Sequence, residues 1–215
     1  MDDVTPDGSP VAFYRRLPPA GEPELVRAAI PAGATILDLG CGSGRIAAPL
    51  ARLGHPVTGV DNGAGMIAAL PPEVEGILGD ARTIRLGRTF DVVLLASHLV
   101  DDPSDGRSFI ETAAAHVTPS GTVIGETYPP GWGEKDDVGT TLKLGDATVT
   151  VVRARREGDL VDAAVRYGVD GMEWTQSYTA RLLDEPALVA LLADCGLAFA
   201  GWLEKTGWFA ARPAR

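Results

Sequence analysis

Three glycines at alternate positions follow a carboxylate in the run Ile36-Leu37-Asp38-Leu39-Gly40-Cys41-Gly42-Ser43-Gly44. The run reads as a buried strand that ends in an acid and opens into a glycine-rich turn. A second apolar run, Val57-Thr58-Gly59-Val60, ends in Asp61, 21 residues after Gly40. A strand, a glycine turn, a helix and a strand tipped by an acid describe one nucleoside-binding βαβ unit. A dinucleotide site arranges its glycines as G-x-G-x-x-G, with an apolar residue two places before the first. Here the third glycine comes one place early, and Asp38 stands at the apolar place. A glycine turn that opens a helix presents backbone N–H groups and the positive end of the helix dipole, which favour a pyrophosphate. A carboxylate beside that turn repels phosphate and attracts an ammonium group. The ligand this suits is a nucleoside with an amino-acid end and no phosphates.

S-adenosylmethionine (SAM) has that form: its ammonium can face Asp38 and its ribose hydroxyls can face Asp61. Gly40, Gly42 and Gly44 let the backbone approach closely, because no Cβ intervenes. These residues resemble motif I of the class I (Rossmann-like) SAM-dependent methyltransferases, small-molecule type, in the form D-L-G-C-G-S-G. The resemblance covers residues 33–126. It implies that Asp61 binds ribose and that Met66, on the following helix, flanks the adenine. Gly79-Asp80-Ala81 resembles the family's G-D-A turn, which implies that Asp80 accepts the adenine amino group. Phe90-Asp91-Val92-Val93 is similar to the family's fourth strand, and Thr118-Pro119-Ser120-Gly121 to its turn into strand five. Cys41, Asn62, Ala81 and Ser97 complete the expected cofactor contacts, with Tyr14 closing over the cofactor from an amino-terminal cap. Asp80 could instead only cap its turn, and Met66 could be ordinary core.

These residues need a frame that brings strand ends together. The 215 residues suffice for one α/β domain with a modest insertion. Strands are predicted over 35–39, 57–60, 74–78, 90–96 and 122–126, and helices over 22–30, 45–53, 64–70 and 104–117. Pro49 inside the second helix predicts an irregularity or a late start. The alternation predicts a doubly wound, mostly parallel seven-stranded sheet with helices on both faces, right-handed crossovers and an antiparallel final strand. After strand five the pattern changes. A hairpin over 142–152, turning at Gly145-Asp146, and strands over 160–169 and 172–182 predict an antiparallel β insertion. A helix over 185–195 and strands over 198–204 and 207–211 close the chain. The expected division is a single methyltransferase domain over 1–215: a cap over 1–31, a SAM-binding core over 32–126, a β-rich insertion or lid over 127–182, and the final helix and strands over 183–215. Residues 1–10 are expected to fray.

Ligands of open α/β sheets bind at the carboxyl ends of the strands. The tip of strand four supplies Ser97 and His98, with Asp101 and Asp102 beyond; strand five supplies Glu126, then Tyr128 and Trp132. Histidine ionises near neutral pH, which suits His98 to act as general base for a hydroxyl, amine or carboxyl acceptor; shaping the pocket is its alternative role. Tyr128-Pro129-Pro130-Gly131-Trp132 is stiff and aromatic and suits a wall of the acceptor pocket. On simple alternation Arg153 and Arg155 share a strand face and could meet an acidic acceptor, with a solvated face as the alternative.

The expected activity is methyl transfer from SAM to O or N of a small molecule. A nucleic-acid or protein methyltransferase, a non-catalytic SAM-binding module and a dehydrogenase are the alternatives. Lys plus Arg number 19 against 29 Asp plus Glu, a formal charge of −10. That balance opposes nucleic acid and anionic membranes as partners. Ala96-Ser97-His98-Leu99 also stands where a nucleic-acid methyltransferase of this fold carries an N-P-P-Y-like tetrapeptide. Cys41 and Cys195 make no disulfide framework, and with His55, His98 and His116 they show no metal-ligand spacing, so no metal is expected. The amino terminus is acidic and polar rather than signal-like, and no stretch reaches the roughly 18 apolar residues of a membrane span. A cytoplasmic monomer or homodimer is expected.

Overall fold

The computed structural model describes residues 4–6, 8–129, 132–133, 137–204 and 207–214. Pro130 and Gly131 of the predicted aromatic wall lie outside them. In chain order, α1 (Val11–Tyr14) and α2 (Glu22–Ala29) precede β1 (Ile36–Leu39). Then come α3 (Ala47–Arg52), β2 (Val57–Asp61), α4 (Ala64–Ile67), β3 (Val74–Leu78), β4 (Phe90–Leu95), a 3₁₀ turn over Leu99–Asp101, α5 (Gly106–His116) and β5 (Val117–Glu126). Four strands follow, β6 (Thr141–Leu144), β7 (Ala147–Glu157), β8 (Leu160–Val169) and β9 (Met172–Arg181). The chain ends with α6 (Glu185–Asp194), β10 (Leu197–Trp202) and β11 (Trp208–Pro213).

The larger sheet has seven strands in the order β10-β11-β5-β4-β1-β2-β3. β11 alone runs against the other six strands, which matches the expected topology. β1 and β4 are apolar on both faces because both faces are covered. Leu37, Leu39, Val93 and Leu95 pack with Ile110 and Leu188 on one side. Ile36, Val92 and Leu94 pack with Val26 and Leu50 on the other. β1 pairs with both β2 and β4, so the strand order reverses there and a crevice opens at the carboxyl ends of β1 and β4.

Several boundaries differ from expectation for local reasons. Pro49 is the third residue of α3, where its missing N–H leaves no helical bond unmade, so the helix starts late. In β5, Val117 already pairs with Phe90 and Thr122 with Val92, so the Thr118–Gly121 turn is an irregularity inside the strand rather than a connection before it. Of the segment expected to fray, residues 4–6 and 8–10 are held in place. Val4 bridges Pro10, Ser9 N donates to Thr5 Oγ1 at 2.9 Å, and Thr5 and Ser9 are buried.

The insertion is a second antiparallel sheet in the order β6-β7-β8-β9. Asp170 and Gly171 join β8 to β9 at φ of 51° and 75°, the two positive values that a type I′ hairpin needs. α1 closes one end of its inner face: the buried Phe13 ring lies 4.7 Å from that of Tyr167 and packs with Val165 and Val169. β7 carries a bulge, since Val151 pairs with Val165 but Arg153 pairs with Ala164.

Gly59 of β2 lies under the glycine turn. A Cβ there would sit 2.6 Å from Cys41 Sγ and 3.0 Å from Cys41 Cβ. The short, buried Cys41 side chain cannot swing clear. Gly59→Ala is therefore expected to destabilise the protein by about 1–3 kcal/mol, read as a lower urea midpoint, and Cys41→Gly in the same chain is expected to restore part of the loss.

Candidate functional site

Backbone hydrogen bonds shape the turn after β1. Gly40 N and Cys41 N both donate to Val60 O, at 2.8 and 3.0 Å. Asp61 then holds two turns at once: Gly42 N donates to its Oδ2 at 2.9 Å and Gly63 N to its Oδ1 at 2.8 Å. Gly40 and Gly44 have φ of +73° and +87°, and a Cβ on either would meet Leu99 or Leu70 below 3 Å. Ser43 Oγ donates to Tyr14 O at 2.9 Å, which draws the end of α1 over the turn.

Asp38 is 2% exposed at the end of β1. Burial pushes its carboxyl up to about 7; the Arg45 charge opposes that and Asp61 adds to it. Arg45 is itself bonded to Glu22 at 2.7 Å, so its charge is shared. Burial, with Asp38 and Asp61 nearby, also holds the Cys41 thiol well above its usual range, so the thiol is no nucleophile.

A cavity of about 1140 Å³ opens between the carboxyl ends of the large sheet and the inner face of the small one. Its volume slightly exceeds the roughly 300–1,000 Å³ of a typical ligand pocket, leaving room for a cofactor and an acceptor together. Asp38, Gly40, Cys41, Gly42, Asp61 and Asn62 line one end. Met66, Asp80, Ala81, Ser97 and Tyr14 also line it, whereas Gly44 acts from behind the turn. Met66 is buried, 2% exposed.

Asp80 is already engaged. Its two oxygens accept from Arg82 N, Nε and Nη2 at 2.7 to 3.1 Å, and Arg82 Nη1 reaches Asp105 at 2.7 Å. The turn-capping alternative is the arrangement present, and an adenine amino group can use Asp80 only if Arg82 yields.

At another wall of the cavity, His98, Tyr128, Trp132 and Tyr178 form an aromatic column. His98 stacks on Tyr128 with centroids 3.8 Å apart, and Tyr128 stacks on Trp132 at 4.0 Å. Tyr128 Oη donates to Tyr178 Oη at 3.0 Å, so the column joins the segment just after β5 to β9 of the small sheet. Ser97 and His98 both adopt left-handed backbone, φ 58° and 60°, and Ser97 N donates to Glu126 Oε2 at 2.8 Å. No cluster of metal ligands occurs among the described residues.

A family profile described as "Methyltransferase domain" matches residues 36–121, which hold the glycine turn, Asp61, Asp80 and the tip of β4. Residues 36–121 thus match a methyltransferase domain. A ubiquinone biosynthesis O-methyltransferase of Methylobacterium sp. is 38% identical over 104 residues, 45% of this chain and 41% of the relative. The chain thus spans about two fifths of the length of the ubiquinone relatives it matches. The SAM-bound amino pentose methyltransferase from Micromonospora echinaspora, involved in calicheamicin biosynthesis, superposes with a TM-score of 0.67 at 28% identity, over 91% of this chain and 89% of that one. The CcbJ methyltransferase of Streptomyces caelestis shares the fold across 100% of both chains, with a TM-score of 0.77 at 22% identity.

The fold does not bring Arg153 and Arg155 to the cavity. The β7 bulge reverses the facing of residues beyond Val151, so Val149 and Val151 line the cavity while Arg153 pairs with Asp162 at 2.9 Å and Arg155 is exposed. Simple alternation had no sign of that bulge. Sequence reasoning named Glu126 and Asp101 at the strand tips without giving either a role, and it missed Tyr178, Thr5 and Ser9 at the cavity wall. No local motif marks the last three.

Asp38 has a folded-state value of about 7 against an ordinary 3.8. The folded domain therefore holds an extra proton between those values, and ligand-free stability falls as pH rises from about 4 to about 7. Asp38→Asn removes that loss. Above pH 7 it is expected to melt several degrees higher than the parent, at about 2–4 °C per kcal/mol, and the two melting curves should converge near pH 4.

Proposed function

We propose that the chain binds SAM and transfers its methyl group to a nitrogen or oxygen of a small molecule held between the two sheets. Asp38 carries this reading. It is a buried carboxylate at the lip of a large cavity, and its raised proton affinity expresses a need for a cation. An ammonium supplies one, and a pyrophosphate does not. Asp61 fits a ribose: the N–H groups of Gly42 and Gly63 fix its two oxygens, and its carboxylate lines the cavity beside Asn62. Met66 and Ala81 suit the adenine faces, Asn62 the rim and Tyr14 the cover. In this reading residues 127–182 are the lid of a single cytoplasmic domain.

SAM brings a methyl group already activated on a sulfonium. The residues then have to align two reactants and keep water away, and alignment alone is worth roughly 7–11 kcal/mol. In this reading His98, Glu126, Tyr128 and Trp132 line the acceptor end of the cavity. The Glu126 carboxylate among these rings suits an amine, which it attracts when the amine is charged. Relatives named for ubiquinone biosynthesis and for an amino pentose support a small-molecule acceptor. The charge of −10 favours such a molecule over nucleic acid.

Titration calorimetry is the first test. SAM is expected to bind with release of a proton below pH 7, and about tenfold more weakly at pH 6 than at pH 8, because Asp38 must ionise. Asp61→Asn is expected to weaken SAM by about 1–3 kcal/mol; unchanged affinity would remove the ribose role. Binding of NADH in place of SAM would overturn the reading. Transfer of labelled methyl to an amine or hydroxyl in a metabolite panel supports it, whereas SAM bound with no transfer to any acceptor would reduce the chain to a binding module.

A further inference from the structure

Asp101 is 1% exposed in the 3₁₀ turn just past β4, and no role attaches to it in the sequence. Its Oδ1 accepts from Thr127 Oγ1 at 2.6 Å and its Oδ2 from Tyr128 N at 3.0 Å. The same Oδ2 lies 3.6 Å from His98 Nδ1. That nitrogen is buried and makes no hydrogen bond, while the His98 side chain as a whole is 29% exposed. The exposed part of the ring is therefore the edge away from Asp101, and His98 lines the cavity. Stacking on Tyr128, 11° from parallel, fixes the ring plane, and the backbone of that same Tyr128 fixes the carboxylate. Ring and acid are thus held by one residue, a short move from a full hydrogen bond.

We propose that Asp101 is a positioning residue for His98: it holds the Nδ1–H tautomer and so presents the Nε2 lone pair to the methyl acceptor. The inference rests on the methyl-transfer reading. The acceptor's lone pair forms the bond to the methyl carbon while the carbon–sulfur pair returns to sulfur. The acceptor's proton passes to His98 Nε2, and the imidazolium so formed faces the Asp101 carboxylate. The other groups facing His98 are Tyr128, with Tyr178 bonded behind it, and Glu126, tied to the neighbouring Ser97 N. Burial pushes the Asp101 carboxyl up, and the His98, Thr127 and Tyr128 N–H contacts push back. Those contacts favour the ionised form that the tautomer needs. A neutral imidazole carries one proton, so fixing it on Nδ1 decides which nitrogen can act as base.

The test is nitrogen-15 NMR of histidine-labelled protein combined with kinetics. Wild-type His98 is expected to carry its neutral-form proton on Nδ1. Asp101→Asn is expected to move that proton toward Nε2, lower kcat about tenfold and leave SAM affinity and acceptor KM within about twofold. The acid limb of its kcat profile should shift to lower pH, because the imidazolium loses its carboxylate. In a His98→Gln background the Asp101 substitution should add nothing to the loss in kcat. An Nε2–H tautomer in the wild type, an unmoved pH limb in Asp101→Asn, or additive losses in the pair would overturn the proposal. The wild-type spectrum decides it even if Asp101→Asn fails to fold. It also needs no turnover, so absence of methyl transfer would overturn the functional reading separately.

Discussion

The carboxylate of Asp61 is the fastening on which the crevice depends. It takes an N–H from the turn after β1 and another from the turn after β2, one on each oxygen. Two loops that could otherwise fluctuate separately are thereby locked at a fixed spacing. Charge-assisted bonds of this kind are among the stronger ones a protein can make. With the turns locked, Asp38 is held at the cavity lip and cannot turn to solvent. Its misfit charge is a direct result of that rigidity.

The opposite wall is built on a different principle. Two consecutive non-glycine residues, Ser97 and His98, sit in the left-handed region. Each such residue costs on the order of 1–3 kcal/mol. Glu126 holds the first by its N–H, and the stack on Tyr128 holds the second. Neighbouring elements therefore maintain a conformation that the local chain disfavours, and the imidazole points where the local backbone alone would not send it. The aromatic column carries this constraint across to β9, so the two sheets share one wall.

Much of the large sheet was legible because its signals are local. β1 and β4 are apolar apart from one aspartate each, and the glycines of the turn need no partner to declare themselves. The end of the cavity at the glycine turn follows, since Asp38 and Asp61 stand at predictable strand tips. The aromatic wall was less legible because distance in the chain hides it. Tyr178 meets Tyr128 across 50 positions, a pairing set by how one sheet lies on the other. Arg153 and Arg155 were misread because a bulge leaves no mark in composition. Asp80 was visible, but its capture by Arg82 two residues on was not, because both oxygens could equally have faced a ligand. The early residues, polar and rich in proline and glycine, carried no pattern of burial, and only their packing on the cavity gives them one.

That early segment has a practical side. Thr5, Pro6 and Ser9 form part of the cavity wall, and Val4 is exposed just ahead of them. β11, by contrast, begins beside Glu126 at the crevice and runs to the far end of the sheet, where Pro213 pairs with Leu197. An affinity tag or fusion partner spliced ahead of Val4 would therefore crowd the mouth of the cavity, and one appended after Ala214 would hang clear of it.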